Sequence, residues 1–132
     1  MTTATNIETI TTDKAPAPLG HYAQAIVHQG IVYVSGQLPI SLENPDQPIG
    51  SITEQTRLTL ENLQAVLEAA GSDKSQVLKC TIFISDISLW AEANAEYARF
   101  FGDHKPARSA VPTRDLPKGF QIEIEAIASR LS

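Results

Sequence analysis

The period of apolar and polar positions changes several times along the chain, and each change marks an element. Ile7 to Thr12 alternates, with Ile7, Thr9 and Thr11 on one face, and predicts a short strand. Pro16 and Pro18 then end regular structure. Ala23–His28 and Ile31–Ser35 are β-prone runs joined at Gln29-Gly30, a hairpin whose glycine supplies the positive φ of a tight turn. Residues 37–50 carry Pro39, Pro45, Pro48 and Gly50 and predict a loop. From Ser51 the period becomes helical: Leu60, Leu63, Val66, Leu67 and Ala70 share one face. Ser51 and Glu54 have the spacing of a capping box, and Gly71 ends the helix in left-handed backbone.

Val77–Ser85 is rich in β-branched and apolar residues and predicts a well-buried strand. Ser88 is placed to cap a second helix, with Trp90, Ala93, Tyr97, Phe100 and Phe101 at helical spacing and Gly102 at its end. Ser109–Arg114 predicts an extended segment interrupted by Pro112, and Leu116–Gly119 a turn. Phe120–Ala128 is the clearest strand. It sets Phe120, Ile122, Ile124 and Ala126 on one face and Gln121, Glu123 and Glu125 on the other.

This order predicts an α+β fold: a single domain over residues 1–132, frayed at 1–6, with one sheet and both helices on the same face. A chain of 132 residues has no spare segment for the opposite face, so another copy is expected to cover it. Apolar residues at 42% and charged residues at 19% fit a folded chain rather than a disordered one. Cys80 is the one cysteine, which excludes an internal disulfide and a Cys-rich zinc site and suits a reducing cytosol. No basic-then-apolar leader opens the chain, and no apolar run nears the about 20 residues that cross a bilayer. A cytoplasmic protein without a membrane partner is the expectation.

The charge balance is 10 Lys+Arg against 15 Asp+Glu, a net −5, which argues against a surface built for nucleic acid. Residues 99–118 run the other way, with Arg99, Lys105, Arg108, Arg114 and Lys118 against Asp103 and Asp115. The stretch reads either as a solvated helix end, where a cation such as Arg99 is favoured, or as an anion site. Arg108 follows the stiff Pro106-Ala107 and can grip a carboxylate with two parallel hydrogen bonds. Glu123 and Glu125 share a strand face roughly 6–7 Å apart, a separation that serves either acid–base work or a solvated stripe. Cys80, inside an apolar strand, reads as a small hydrophobe, and Trp90, Tyr97, Phe100, Phe101 and Tyr22 as core or interface aromatics. His21, His28 and His104 have no metal-ligand spacing, though His21 beside Tyr22 could edge a site. Asn94 is a polar amide in the helix that carries the aromatic stripe, so it either ties down a loop or faces a pocket. In Ser35-Gly36-Gln37 the glycine lets a ligand or another backbone come close, and no phosphate-loop pattern surrounds it.

Several blocks together carry a resemblance. They are Ala15-Pro16-Ala17-Pro18-Leu19-Gly20-His21-Tyr22, Ser35-Gly36-Gln37, Asn94-Ala95-Glu96-Tyr97-Ala98-Arg99-Phe100-Phe101, Pro106-Ala107-Arg108-Ser109 and Ile122-Glu123-Ile124-Glu125-Ala126-Ile127-Ala128. In this order, from about residue 7 to 130, the chain resembles the Rid (reactive intermediate deaminase) or YjgF family, also labelled endoribonuclease L-PSP. The resemblance implies a chorismate-mutase-like fold and a homotrimer with a central barrel and pockets between neighbouring chains. It implies hydrolysis of enamines and imines such as 2-aminoacrylate to 2-keto acids and ammonia, with no metal or organic cofactor. Arg108 matches the arginine that holds the substrate carboxylate and Glu123 the glutamate that positions water. Tyr22, Ser35, Gly36, Asn94 and Ala110 match pocket positions.

The chain departs from the family pattern in four places. Ala110 stands where the archetypal deaminases carry cysteine, Lys105 where an aromatic is usual in a short 102–105 loop, and His21 where proline is common. Pro112 falls in a usually regular strand. The Ala110 and loop departures motivate a second reading, a non-catalytic module that binds small carboxylates. The family label and the basic stretch motivate a third, a single-stranded RNA endoribonuclease or translation inhibitor, against which the net charge and the lack of interleaved aromatic and basic residues count.

Overall fold

The alternating segments of the chain pair into one six-stranded sheet in the computed structural model, which describes residues 6–131. Of the polar start expected to fray, residues 1–5 fall outside the described residues, as does Ser132. The elements are β1 (Glu8–Ile10), β2 (Ala25–His28), β3 (Ile31–Gln37), α1 (Ile52–Ala69), β4 (Val77–Ile84), α2 (Trp90–Phe101), β5 (Ala107–Pro112) and β6 (Ile122–Ser129). The strand order is β1-β2-β3-β6-β4-β5, antiparallel throughout except for the parallel β4–β5 pair that α2 connects. This is the single mixed sheet with two helices that the sequence order predicts.

Burial follows the two periods. Val32, Val34, Cys80, Ile82, Ile84, Ile122, Ile124 and Ala126 point to the helix face and meet Leu60, Leu63, Val66 and Leu67 of α1 and Ala93, Tyr97 and Phe101 of α2. Each large aliphatic side chain buried there contributes about 1.5–3 kcal/mol relative to exposure. The opposite face carries the partly covered Ile26, Thr81, Phe83 and Ile127 beside exposed Tyr33, Lys79 and Glu125. β4 is therefore buried on one side only, not the well-buried strand expected, because α1 and α2 pack on the same face.

The helix α1 starts as its capping spacing predicts, with Ser51 Oγ accepting from Glu54 N at 3.1 Å. Its inner face also buries polar groups that apolar periodicity passes over. Asn62 Nδ2 donates to Leu38 O at 2.9 Å and Ile40 O at 3.0 Å, and so ties the proline-rich loop to the helix. Gln55 exchanges hydrogen bonds with both the backbone and the side chain of Gln121.

Three expectations are corrected. Ser88 does not cap α2: it lies in a short 3-10 turn, Ile87–Leu89, where Asp86 Oδ1 accepts from Ser88 N at 2.9 Å. Pro112 ends β5 rather than interrupting it, and β5 is an edge strand, where a missing donor is tolerated. β3 runs to Gln37, two residues past Ser35. Its extra length holds a bulge: Val34 faces Ala126 and Gln37 faces Ile124, so Ser35 and Gly36 together oppose Glu125.

Candidate functional site

Arg108 lies opposite Cys80 in the β4–β5 register, so its side chain leaves the sheet on the helix face at the exposed edge. There α2 presents Trp90, Asn94 and Tyr97 along one stripe. The guanidinium carbon lies 4.8 Å from the Trp90 ring centre and 4.9 Å from that of Tyr97. Its Nη1 donates to Asn94 Oδ1 at 2.7 Å. Asn94, half-buried, is thus the pocket-facing amide of the two alternatives. The cation is fixed by a neutral amide and two rings, and among the described residues no carboxylate pairs with it. Arg99, by contrast, is held by Glu96 Oε1 at 2.6 Å, as a solvated helix end would have it. Arg108 opens on a cleft of about 390 Å³ lined also by Asn94, Tyr97, Phe101, His104 and Lys105.

Glu123 lies opposite Phe83 in the β4–β6 register, so it leaves the sheet on the face away from the helices. The Ser35–Gly36 bulge brings backbone against it. A Cβ built on Gly36 would lie 2.1 Å from Glu123 Oε2 and 2.9 Å from its carboxyl carbon. The missing side chain at position 36 is therefore the space in which the Glu123 carboxylate sits. Burial, followed by repulsion from Glu125, pushes the Glu123 carboxyl above the usual carboxylate range. Ser35 Oγ donates to Ala23 O at 2.6 Å, and Tyr22 OH accepts from Leu19 N at 3.0 Å, which together pin the loop that carries Tyr22. Tyr22, Ser35, Gly36 and Glu123 line a second cleft of about 550 Å³ with Leu19, Pro117 and Glu125.

Six of the seven candidate positions thus fall into two groups. Tyr22, Ser35, Gly36 and Glu123 gather on the open face, and Asn94 and Arg108 on the helix face. Ala110 lies opposite Ile82, on the Arg108 side of the sheet, exposed and outside the lining of both clefts. His21 edges a neighbouring hollow with Tyr22 and Gln24. Trp90 and Tyr97, read from sequence as core or interface aromatics, also form walls for Arg108. Their signal was the spacing Trp90, Asn94, Tyr97, which puts an amide between two rings on one helix stripe.

Cys80 is fully buried, and burial pushes its thiol up to about 11, so it remains a neutral core group at physiological pH. Beside it lies the buried Tyr97 hydroxyl, whose pKa burial raises too. Among the described residues no three His, Cys, Asp or Glu side chains gather where they could share a metal ion. No helix among them is long and apolar enough to cross a membrane.

The chain matches the family model for endoribonuclease L-PSP over residues 12–130. It is 45% identical over 121 residues to a RutC family protein of Pyrococcus abyssi, covering 92% of this chain and 95% of that one. It is 40% identical over 126 residues to the 2-iminobutanoate/2-iminopropanoate deaminase of Escherichia coli K12, covering 93% and 98%. The solved structure of E. coli TdcF with bound serine superposes with a TM-score of 0.88 at 38% identity, over 94% of this chain and 99% of that one. With matches of this extent the chain belongs to the endoribonuclease L-PSP family, the Rid or YjgF proteins that its sequence resembles.

Proposed function

We propose that the protein hydrolyses 2-imino acids, and the enamines that tautomerise to them, to 2-keto acids and ammonia. The observation that carries this reading is Arg108: a guanidinium fixed by Asn94 and two rings and, among the described residues, without a carboxylate partner. With Nη1 on Asn94, its Nε–Nη2 edge has the fork geometry that takes a substrate carboxylate through two hydrogen bonds. The E. coli relatives support the same reading, one named as an imine deaminase and one with a small amino acid bound.

In this mechanism Arg108 orients the imine, and orientation supplies several kcal/mol of barrier reduction. Glu123, its proton affinity raised toward the working pH, accepts a proton from a water molecule. The water oxygen adds to C2 as the C=N π pair moves to nitrogen. Nitrogen then takes the proton held by Glu123 and, as the C–N bond breaks, the proton of the C2 hydroxyl, so ammonia leaves as the carbonyl forms and Glu123 is again ionised. One water is consumed, and no electrons change hands.

Arg108 and Glu123 leave opposite faces of the sheet, so the reading requires the Arg108 edge of one copy to meet the Glu123 face of another. A homotrimer closes this head-to-tail contact and covers the open sheet face, where Tyr33 is 46% exposed. Keto-acid release from 2-aminoacrylate generated in situ tests the activity. Wild type is expected to accelerate it and Arg108→Ala not to; equal rates discard the reading.

A further inference from the structure

We propose that the Arg108 cleft selects 2-imino acids with a second carboxylate, which Lys105 binds. The inference rests on the deaminase reading for the reacting end of the substrate and adds the class of side chain. Lys105 and Arg108 line the same cleft, about 390 Å³ in volume, and no Asp or Glu is among its lining residues. Among the described residues Lys105 makes no ion pair, and neither does Arg108.

Neighbouring basic groups are already engaged. Arg99 is paired with Glu96, and Lys74 donates to Phe100 O at 3.0 Å while its Nζ stands 4.9 Å from the Phe100 ring centre. His104 shares the cleft, but its Nε2 is 2.8 Å from Val77 O. Among the described residues Lys105 is thus the second lining cation without an ion pair.

Pro106 stiffens the link between the two cations, and Arg108 is itself held by Asn94 and the Trp90 and Tyr97 rings. The apolar Ala98 and Phe101 line the same cleft. Two like charges lining one cleft repel, and a dianion relieves both. The apolar lining suits the methylenes of a diacid, with the 2-carboxylate on Arg108 and the second one on Lys105. A monocarboxylic imine uses only the first contact.

Titration calorimetry with 2-oxoglutarate and 2-oxobutanoate, the keto acids that such imines would yield, tests the selectivity. An exposed or partly covered ion pair predicts that wild type binds 2-oxoglutarate about two- to fivefold more tightly. Lys105→Met is expected to bring the ratio to about one, and Lys105→Arg to preserve it. A ratio near one in wild type, a preference that survives Lys105→Met, or binding of neither acid overturns the proposal. Turnover is read separately, as ammonia release from imines that an amino-acid oxidase generates. Absence of turnover with the affinity ratio intact discards the deaminase chemistry and keeps the dicarboxylate selectivity.

Discussion

Arg108 and Glu123 stand two strands apart in one sheet and leave it on opposite faces, the first beside Cys80 and the second beside Phe83. A side chain's face is set by strand parity, and a one-residue change of register would reverse it. The separation is therefore a property of the fold rather than of side-chain rotamers. If both residues act on one substrate, each active site uses two chains.

Subunit complementation follows. Arg108→Ala and Glu123→Gln are each expected to be inactive as pure proteins. After they are unfolded together and refolded as an equal mixture, roughly a quarter of the wild-type sites return, because each variant supplies the half the other lacks. A refolded mixture as inactive as its components would place both residues' work within one chain.

Gly36 carries a different prediction. The nearest obstacle to a Cβ at position 36 is the end of the flexible Glu123 side chain, not backbone. Gly36→Ala should therefore keep the fold, with a stability change within about 1 kcal/mol by thermal unfolding. It should displace the carboxylate and lower kcat at least tenfold, since a misplaced catalytic group loses rate steeply. Normal turnover by Gly36→Ala would show that the carboxylate does not work from this position.

The raised Glu123 pKa makes opposite demands on activity and stability. As a base the group works only when ionised, so the rate rises with pH through the raised value. Between the ordinary glutamate value and the raised one, the folded chain holds a proton that the unfolded chain has released. Stability therefore falls as pH rises through that window and stays lower above it. Glu123→Gln removes the charge. It is expected to be inactive yet more resistant to urea than wild type at neutral pH, with the gap closing below the ordinary glutamate value. A neutral-pH loss of stability would contradict the assignment.

The ring stack on Arg108 is also measurable. Trp90→Leu keeps an apolar side chain and removes one cation–π contact, worth about 0.5–2 kcal/mol. The expected result is a KM increase of about two- to thirtyfold, larger than the fall in kcat. An unchanged KM would mean that Asn94 and Tyr97 suffice to hold the guanidinium.

The sequence by itself determined the element order. Alternation in 120–128, the three-and-four spacing from Leu60 to Ala70 and the glycines at 71 and 102 are local signals, and period alone fixes which side chains share a face. It also marked Arg108 and Glu123, through the blocks around them. The start of α2 was less legible: Asp86 and Ser88 both suit a cap, and the choice of a 3-10 turn before Trp90 is not written in local propensity. Only tertiary structure decided the rest. That Gly36 makes room for the carboxylate depends on a bulge created by pairing β3 with β6, strands far apart in sequence that meet at Gln37 and Ile124. That Trp90 and Tyr97 serve a cation as well as a core depends on β5 joining the sheet parallel to β4 beneath α2. Periodicity reports which residues face the same way along one element; which distant element they meet is set by strand pairing, and that is what puts Arg108 and Glu123 on opposite faces.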